Sequence, residues 1–149
     1  MLQVGDSFPE FELQDQDGRS WTHKDLMGSP SIVYFYPKDD TPGCTKEACD
    51  AQAQLPKFDG TKIFGVSPDS VKSHQKFAKK YGLEFPLLAD TERALCEACG
   101  VWGEKTLYGK LFMGVRRTTF LLNKEAKVAH IWKNVKVNGH IEDILSRMV

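Results

Sequence analysis

The longest unbroken apolar run, Ser31-Ile-Val-Tyr-Phe-Tyr36, lacks the alternation of a half-exposed strand and reads as a buried central strand. A second strand follows at Lys62–Ser67 and a short third one at Phe85–Ala89. Between them the period lengthens. Thr45–Leu55 has few breakers and reads as a helix that stops at Pro56 and Asp59-Gly60. A capping Ser67 with Pro68 just inside predicts a helix from Pro68 to Lys80, stopping at Tyr81-Gly82. Asp90 can cap another over Thr91–Cys99.

The ends of the chain complete the pattern. Phe11–Thr22 alternates and turns at Asp17-Gly18, which predicts two short strands, with a short turn around His23–Met27 after them. Residues Gly100–Gly114, with several glycines, read as a loop. Thr118–Leu122 and Val128–Trp132 form a hairpin around Asn123–Lys127. Ile141, Ile144, Leu145 and Met148 then share one stripe of a final helix, about 139–148. Strands alternating with helices, then a hairpin and a helix, predict an α/β fold with a mixed sheet covered on both faces.

A chain of 149 residues without repeats or linkers fits a single domain, 1–149. Twenty basic residues against twenty acidic ones leave no net field to recruit nucleic acid or an anionic membrane. No apolar stretch is long enough to cross a bilayer, and the first residues lack the parts of a signal peptide. The expected location is the cytoplasm and the expected form a monomer. The four cysteines, at 44, 49, 96 and 99, do not suit a structural disulfide framework in a chain this size. Their spacing does not suit structural zinc either.

Chemistry concentrates between the central strand and the first long helix, at Pro37-Lys-Asp-Asp-Thr-Pro-Gly-Cys44. Cys44 falls in or just before the first helical turn, where unpaired backbone N–H groups favour an anion. An ordinary thiol is only about 3% ionised at pH 7, and making one mostly thiolate requires roughly 3.4 kcal/mol of preference for the anion. A helix start supplies about 1–2 kcal/mol of that. The rest needs donors or a cation. Thr41 can bring its hydroxyl beside the sulfur or a bound oxygen, while Pro37 and Pro42 restrict the loop. Arg117, entering the strand at Thr118, is the favoured cation; Arg116 competes, and strand alternation lets only one of them face the sulfur.

If Cys44 and Cys49 share one continuous helix, their Cα atoms lie about 8–9 Å apart, beyond disulfide reach. Cys49 is then either a packed core thiol or a partner that meets Cys44 only when the first turns unwind. Cys96 and Cys99, one turn apart, are either packed thiols or an auxiliary disulfide.

The signature Pro37-x-x-x-Thr41-x-x-Cys44 resembles the active-site motif of the peroxiredoxins. Phe35–Cys49 is similar to the bacterioferritin comigratory protein, or peroxiredoxin Q, group. The likeness continues through Gly65–Ser70, Leu87–Asp90, Gly100–Lys105, Tyr108–Lys110, Arg117–Leu121 and the Gly139-His140 helix, nearly the whole chain. It implies a thioredoxin-like fold and reduction of hydrogen peroxide and organic hydroperoxides without metal, haem or flavin. By the same resemblance Cys44 is the peroxidatic cysteine and Cys49 the resolving one. Thr41 and Arg117 hold peroxide and thiolate, Pro37 shields the sulfur, and Glu47 positions the arginine. Thioredoxin or a similar dithiol protein is the implied reductant. A thiol–disulfide oxidoreductase and a non-enzymatic redox sensor are the competing expectations.

Overall fold

The computed structural model describes residues 1–148; the expected domain range ends one residue later, at Val149, which lies outside the described residues. Its centre is a five-stranded mixed sheet in the order β5-β4-β3-β8-β9. Strand β3 (Ser31–Phe35) runs parallel to β4 (Lys62–Ser67), which runs parallel to β5 (Leu87–Ala89). On its other edge β3 pairs antiparallel with β8 (Thr118–Leu122), and β8 with β9 (Val128–Trp132). A two-stranded ribbon, β1 (Glu12–Gln14) with β2 (Ser20–Thr22), turns at the expected Asp17-Gly18.

Every residue of β3 is buried, because both faces of the sheet are covered. Ile32, Tyr34 and Tyr36 point into a core shared with α1 (Pro42–Ala53), α2 (Val71–Tyr81) and α4 (His140–Arg147). Val33 and Phe35 point the other way, into a core with Phe64, Phe120 and the short helix α3 (Ala94–Ala98). This is the mixed-sheet α/β architecture that the alternation of elements predicts, and the thioredoxin-like fold that the resemblance implies.

Four expectations are corrected. The segment predicted as a glycine loop, 100–114, is a hairpin, β6 (Trp102–Leu107) with β7 (Lys110–Val115). Its two-residue turn puts Tyr108 at φ 51° and Gly109 at φ 77°, the double left-handed geometry that follows strand twist. Gly103 and Gly114 face each other across it, and the space their missing side chains leave is taken by Arg116 and Lys105. Helix α2 starts at Val71 rather than Pro68, because Ser67 ends β4 and it is Ser70 whose hydroxyl accepts from the Ser73 N–H. Helix α3 is shorter than expected, starting after Arg93 in the left-handed region, while the Asp90 carboxylate reaches the Leu95 and Cys96 N–H groups.

Helix α1 begins three residues earlier than the pattern predicted. Its entry is weakly built: Thr41 makes no side-chain capping bond, no acidic residue lies in the first turn, and Gly43 is the second helical residue.

Candidate active site

Cys44 is the third residue of α1 and only 1% exposed, its thiol set against the carboxyl-terminal edge of β3 by Pro42-Gly43. The cation at the sulfur comes from Arg117, just ahead of β8 and 73 residues away. β8 lies beside β3 in antiparallel register, Thr118 opposite Phe35, so the start of one strand meets the end of the other. The Arg117 Nη2 donates to Cys44 Sγ at 3.3 Å, and Nη1 donates to Glu47 Oε1 at 2.7 Å. Arg116 turns away, its Nη2 on the Glu104 carbonyl of the hairpin at 3.4 Å. Gly43 permits this: a Cβ there would stand 3.2 Å from the Arg117 guanidinium.

Glu47, one turn after Cys44, is fully buried, and burial pushes its carboxyl up to about 7, with Arg117 pulling the other way. Its second oxygen, Oε2, has no hydrogen-bond partner and lies 3.9 Å from His140 Nε2. That histidine is lowered to about 4 by burial, Asp143 opposing and Arg117 adding to the effect, and its Nε2 pairs with the Thr119 hydroxyl at 2.8 Å. His140 is therefore neutral at neutral pH and leaves Arg117 as the cation that Glu47 holds.

The structure thus brings Cys44, Arg117 and Glu47 into one line of contacts. Thr41 stands at the head of α1, but its hydroxyl donates to the Lys38 carbonyl at 2.8 Å rather than to the sulfur, closing the turn that carries the loop. Pro37 is half-buried where β3 gives way to that loop. Cys49 lies on the same unbroken helix as Cys44, half-buried in an open cleft with Asp40, Thr45 and Tyr81. Burial and then the neighbouring Asp50 hold its thiol above the ordinary range. All four cysteines are free thiols. Cys96, within α3, and Cys99, at its carboxyl-terminal end, are wholly buried, and burial with Asp90 pushes both well above the thiol range, which fits packed core groups.

Lys105 escaped the sequence reading because it fell in the supposed loop. Its ammonium donates to the Val115 carbonyl at 3.0 Å. Burial and then Arg117 hold it below the usual lysine range, with Cys44 acting the other way. The approach of His140 to Glu47 was also missed, since nothing in the spacing connects the two.

A buried sulfur at a helix start, under a guanidinium that is itself held by a buried carboxyl, is a site for a nucleophilic thiolate. The AhpC/TSA family model matches residues 4–131. The chain belongs to the peroxiredoxin family. Peroxiredoxin Bcp of Xanthomonas campestris pv. campestris is 52% identical over 141 residues, covering 93% of this chain and 88% of that one. A solved structure of the X. campestris bacterioferritin comigratory protein, described for its alkyl peroxide reduction activity, is 44% identical with a TM-score of 0.90, covering 99% and 96% of the two chains. A variant of peroxiredoxin Q from Xylella fastidiosa superposes with a TM-score of 0.94 at 36% identity, again over 99% and 96%. The peroxiredoxin described here is accordingly a thiol peroxidase of the Bcp group.

Proposed function

We propose that this peroxiredoxin reduces alkyl hydroperoxides and hydrogen peroxide at Cys44, forms a Cys44–Cys49 disulfide, and is recycled by thioredoxin or a similar dithiol protein. The observation that carries the reading is the Arg117 bridge, which joins Cys44 Sγ to the buried Glu47 carboxylate. Arg117 sets its charge against the attacking sulfur and faces the oxygens of an incoming peroxide, where charge builds as the O–O bond breaks. The thiolate attacks one peroxide oxygen; the other leaves as water or alcohol after taking up a proton, and Cys44 is left as sulfenic acid. Thr41, free of any capping role, can turn its hydroxyl from Lys38 toward the bound peroxide.

The second step is supported by the continuity of α1. A separation of about 8–9 Å between the two Cα atoms forbids the disulfide while the helix is intact. The first turns therefore unwind, the Cys49 thiol attacks the sulfenic sulfur, and water leaves. An external dithiol then restores both thiols by exchange. Cys49 already lines an open cleft, where such a partner can reach it. Both sulfurs belong to one chain, so a monomer is a sufficient working form. A dithiol reductant works in a reducing compartment, which supports the cytoplasm as the location.

Peptide mapping after one equivalent of peroxide tests the assignment. The expected product is a single 44–49 disulfide that thioredoxin removes, with Cys96 and Cys99 still reduced. A dominant 44–96 or 44–99 bond overturns it.

A further inference from the structure

The loop that enters α1 is fastened by a buried polar network that the chemistry above does not use. Asp39, 8% exposed, accepts from the Tyr36 hydroxyl at 2.6 Å on Oδ1 and from the Ser73 hydroxyl at 2.8 Å on Oδ2. The same Oδ2 lies 2.7 Å from Nδ1 of His74, a wholly buried side chain of α2. The other ring nitrogen of His74 faces the Leu88 carbonyl at 3.0 Å. Both nitrogens therefore meet oxygen atoms, which fixes the ring between Asp39 and β5. The Asp39 backbone N–H adds a fourth bond, to Asp69 at 2.8 Å.

The next residue behaves differently. Asp40 is in the left-handed region at φ 55°, unusual for a residue other than glycine, and is held by exposed contacts to Lys80 and Tyr81. The firm attachment ends at Asp39, two residues before Thr41 and five before Cys44. Beyond it lie a strained residue, an uncapped helix start and Gly43.

We propose that Asp39 and His74 are positioning residues for the peroxidase reaction. They pin the segment entering α1 so that Cys44 is presented to Arg117, and they set Asp40–Thr41 as the point where unwinding begins. This rests on the Cys44–Cys49 reading given above. Loosening the tether lowers the population of the aligned thiolate and raises that of the unwound sulfenic form. Peroxide attack slows and disulfide formation quickens. The sulfenic acid has a competing fate: a second peroxide transfers an oxygen to the sulfur, giving sulfinic acid and water or alcohol. The tether thus sets the partition between disulfide and sulfinic acid.

The test compares Ser73→Ala and His74→Asn with Ser70→Ala, which removes the α2 cap without touching Asp39. Rapid mixing with hydrogen peroxide gives the rate constants of Cys44 oxidation and of disulfide formation, and mass spectrometry gives the sulfinic fraction at excess peroxide. For His74→Asn, oxidation is expected to fall about tenfold and disulfide formation to rise about tenfold, the size of one charge-assisted hydrogen bond. Ser73→Ala, whose partly exposed site keeps the fold safe, is expected to move both constants about threefold in the same directions, with less sulfinic acid. If Ser73→Ala and His74→Asn match Ser70→Ala in both steps, the inference is overturned and the Cys44–Cys49 chemistry stands. If the unaltered protein forms no 44–49 disulfide, both fall.

Discussion

Replacing Arg117 by Met removes the charge at the sulfur while keeping most of the side chain's bulk. Two unit charges 3.3 Å apart interact by about 5 kcal/mol at an effective permittivity of 20. The side chain is 17% exposed, and Glu47 already neutralises part of its field, so the share felt at Cys44 is about 2–4 kcal/mol. That converts to a loss of roughly 30- to 1000-fold in the rate constant for Cys44 oxidation. The fold survives, because a buried carboxyl already raised to about 7 takes up a proton when its partner is gone. Arg116→Met is the matched control, since its guanidinium lies on the hairpin backbone. It should change the rate less than twofold. Stopped-flow measurement with hydrogen peroxide reads both variants. Equal losses in the two, or a loss below threefold at Arg117, would refute the electrostatic argument.

Glu47 and His140 should give opposite pH dependences of stability. Raised to about 7, Glu47 contributes stability that is full below its ordinary 4.5 and lost as pH rises through 7. His140, lowered to about 4, contributes stability present above its ordinary 6.5 and lost as pH falls through 4. Between about pH 4.5 and 6.5 the two slopes oppose each other, so urea unfolding of Glu47→Gln should show stability rising from pH 4 to 6.5, and of His140→Gln stability falling from 4.5 to 7, each by roughly 2–3 kcal/mol; a flat profile in either variant contradicts this. Cys49→Ser should keep the first oxidation of Cys44 but accumulate sulfenic and sulfinic acid, read by mass spectrometry; normal recycling by thioredoxin would exclude Cys49. Cys96 and Cys99 should resist iodoacetamide in the native protein at pH 8 while Cys49 is alkylated, and early labelling of the α3 pair would contradict their burial.

The sequence made much of this site legible because its parts are local. The run ending at Tyr36, the prolines and Cys44 occupy fourteen consecutive residues, and Glu47 falls one helical turn further on. Arg117 was reachable because strand order brings distant strand ends to one edge, although only the side chain's actual direction separates it from Arg116. The hairpin at 102–115 was missed for a physical reason. Glycines read as breakers, yet Gly103 and Gly114 serve a ladder in which neighbouring long side chains need the room. Tyr108-Gly109 was the available signal, a two-residue turn flanked by runs of strand formers. The Asp39–His74 pair spans 35 residues and three elements, and buried polar pairing of that kind leaves no periodic trace.

The weak entry to α1 bears on how this enzyme can be engineered. Standard routes to a sturdier helix would install a capping side chain at position 41, an acid in the first turn, and alanine for Gly43. The last would press on the guanidinium 3.2 Å away that reaches Cys44, and the first would displace the threonine. An acid in the first turn would raise the melting temperature while slowing the unwinding that the proposed Cys44–Cys49 disulfide requires in each cycle. Selection for heat tolerance in this scaffold should therefore accumulate its substitutions in the sheet and the far helices, and leave these four residues, 41 to 44, as they are.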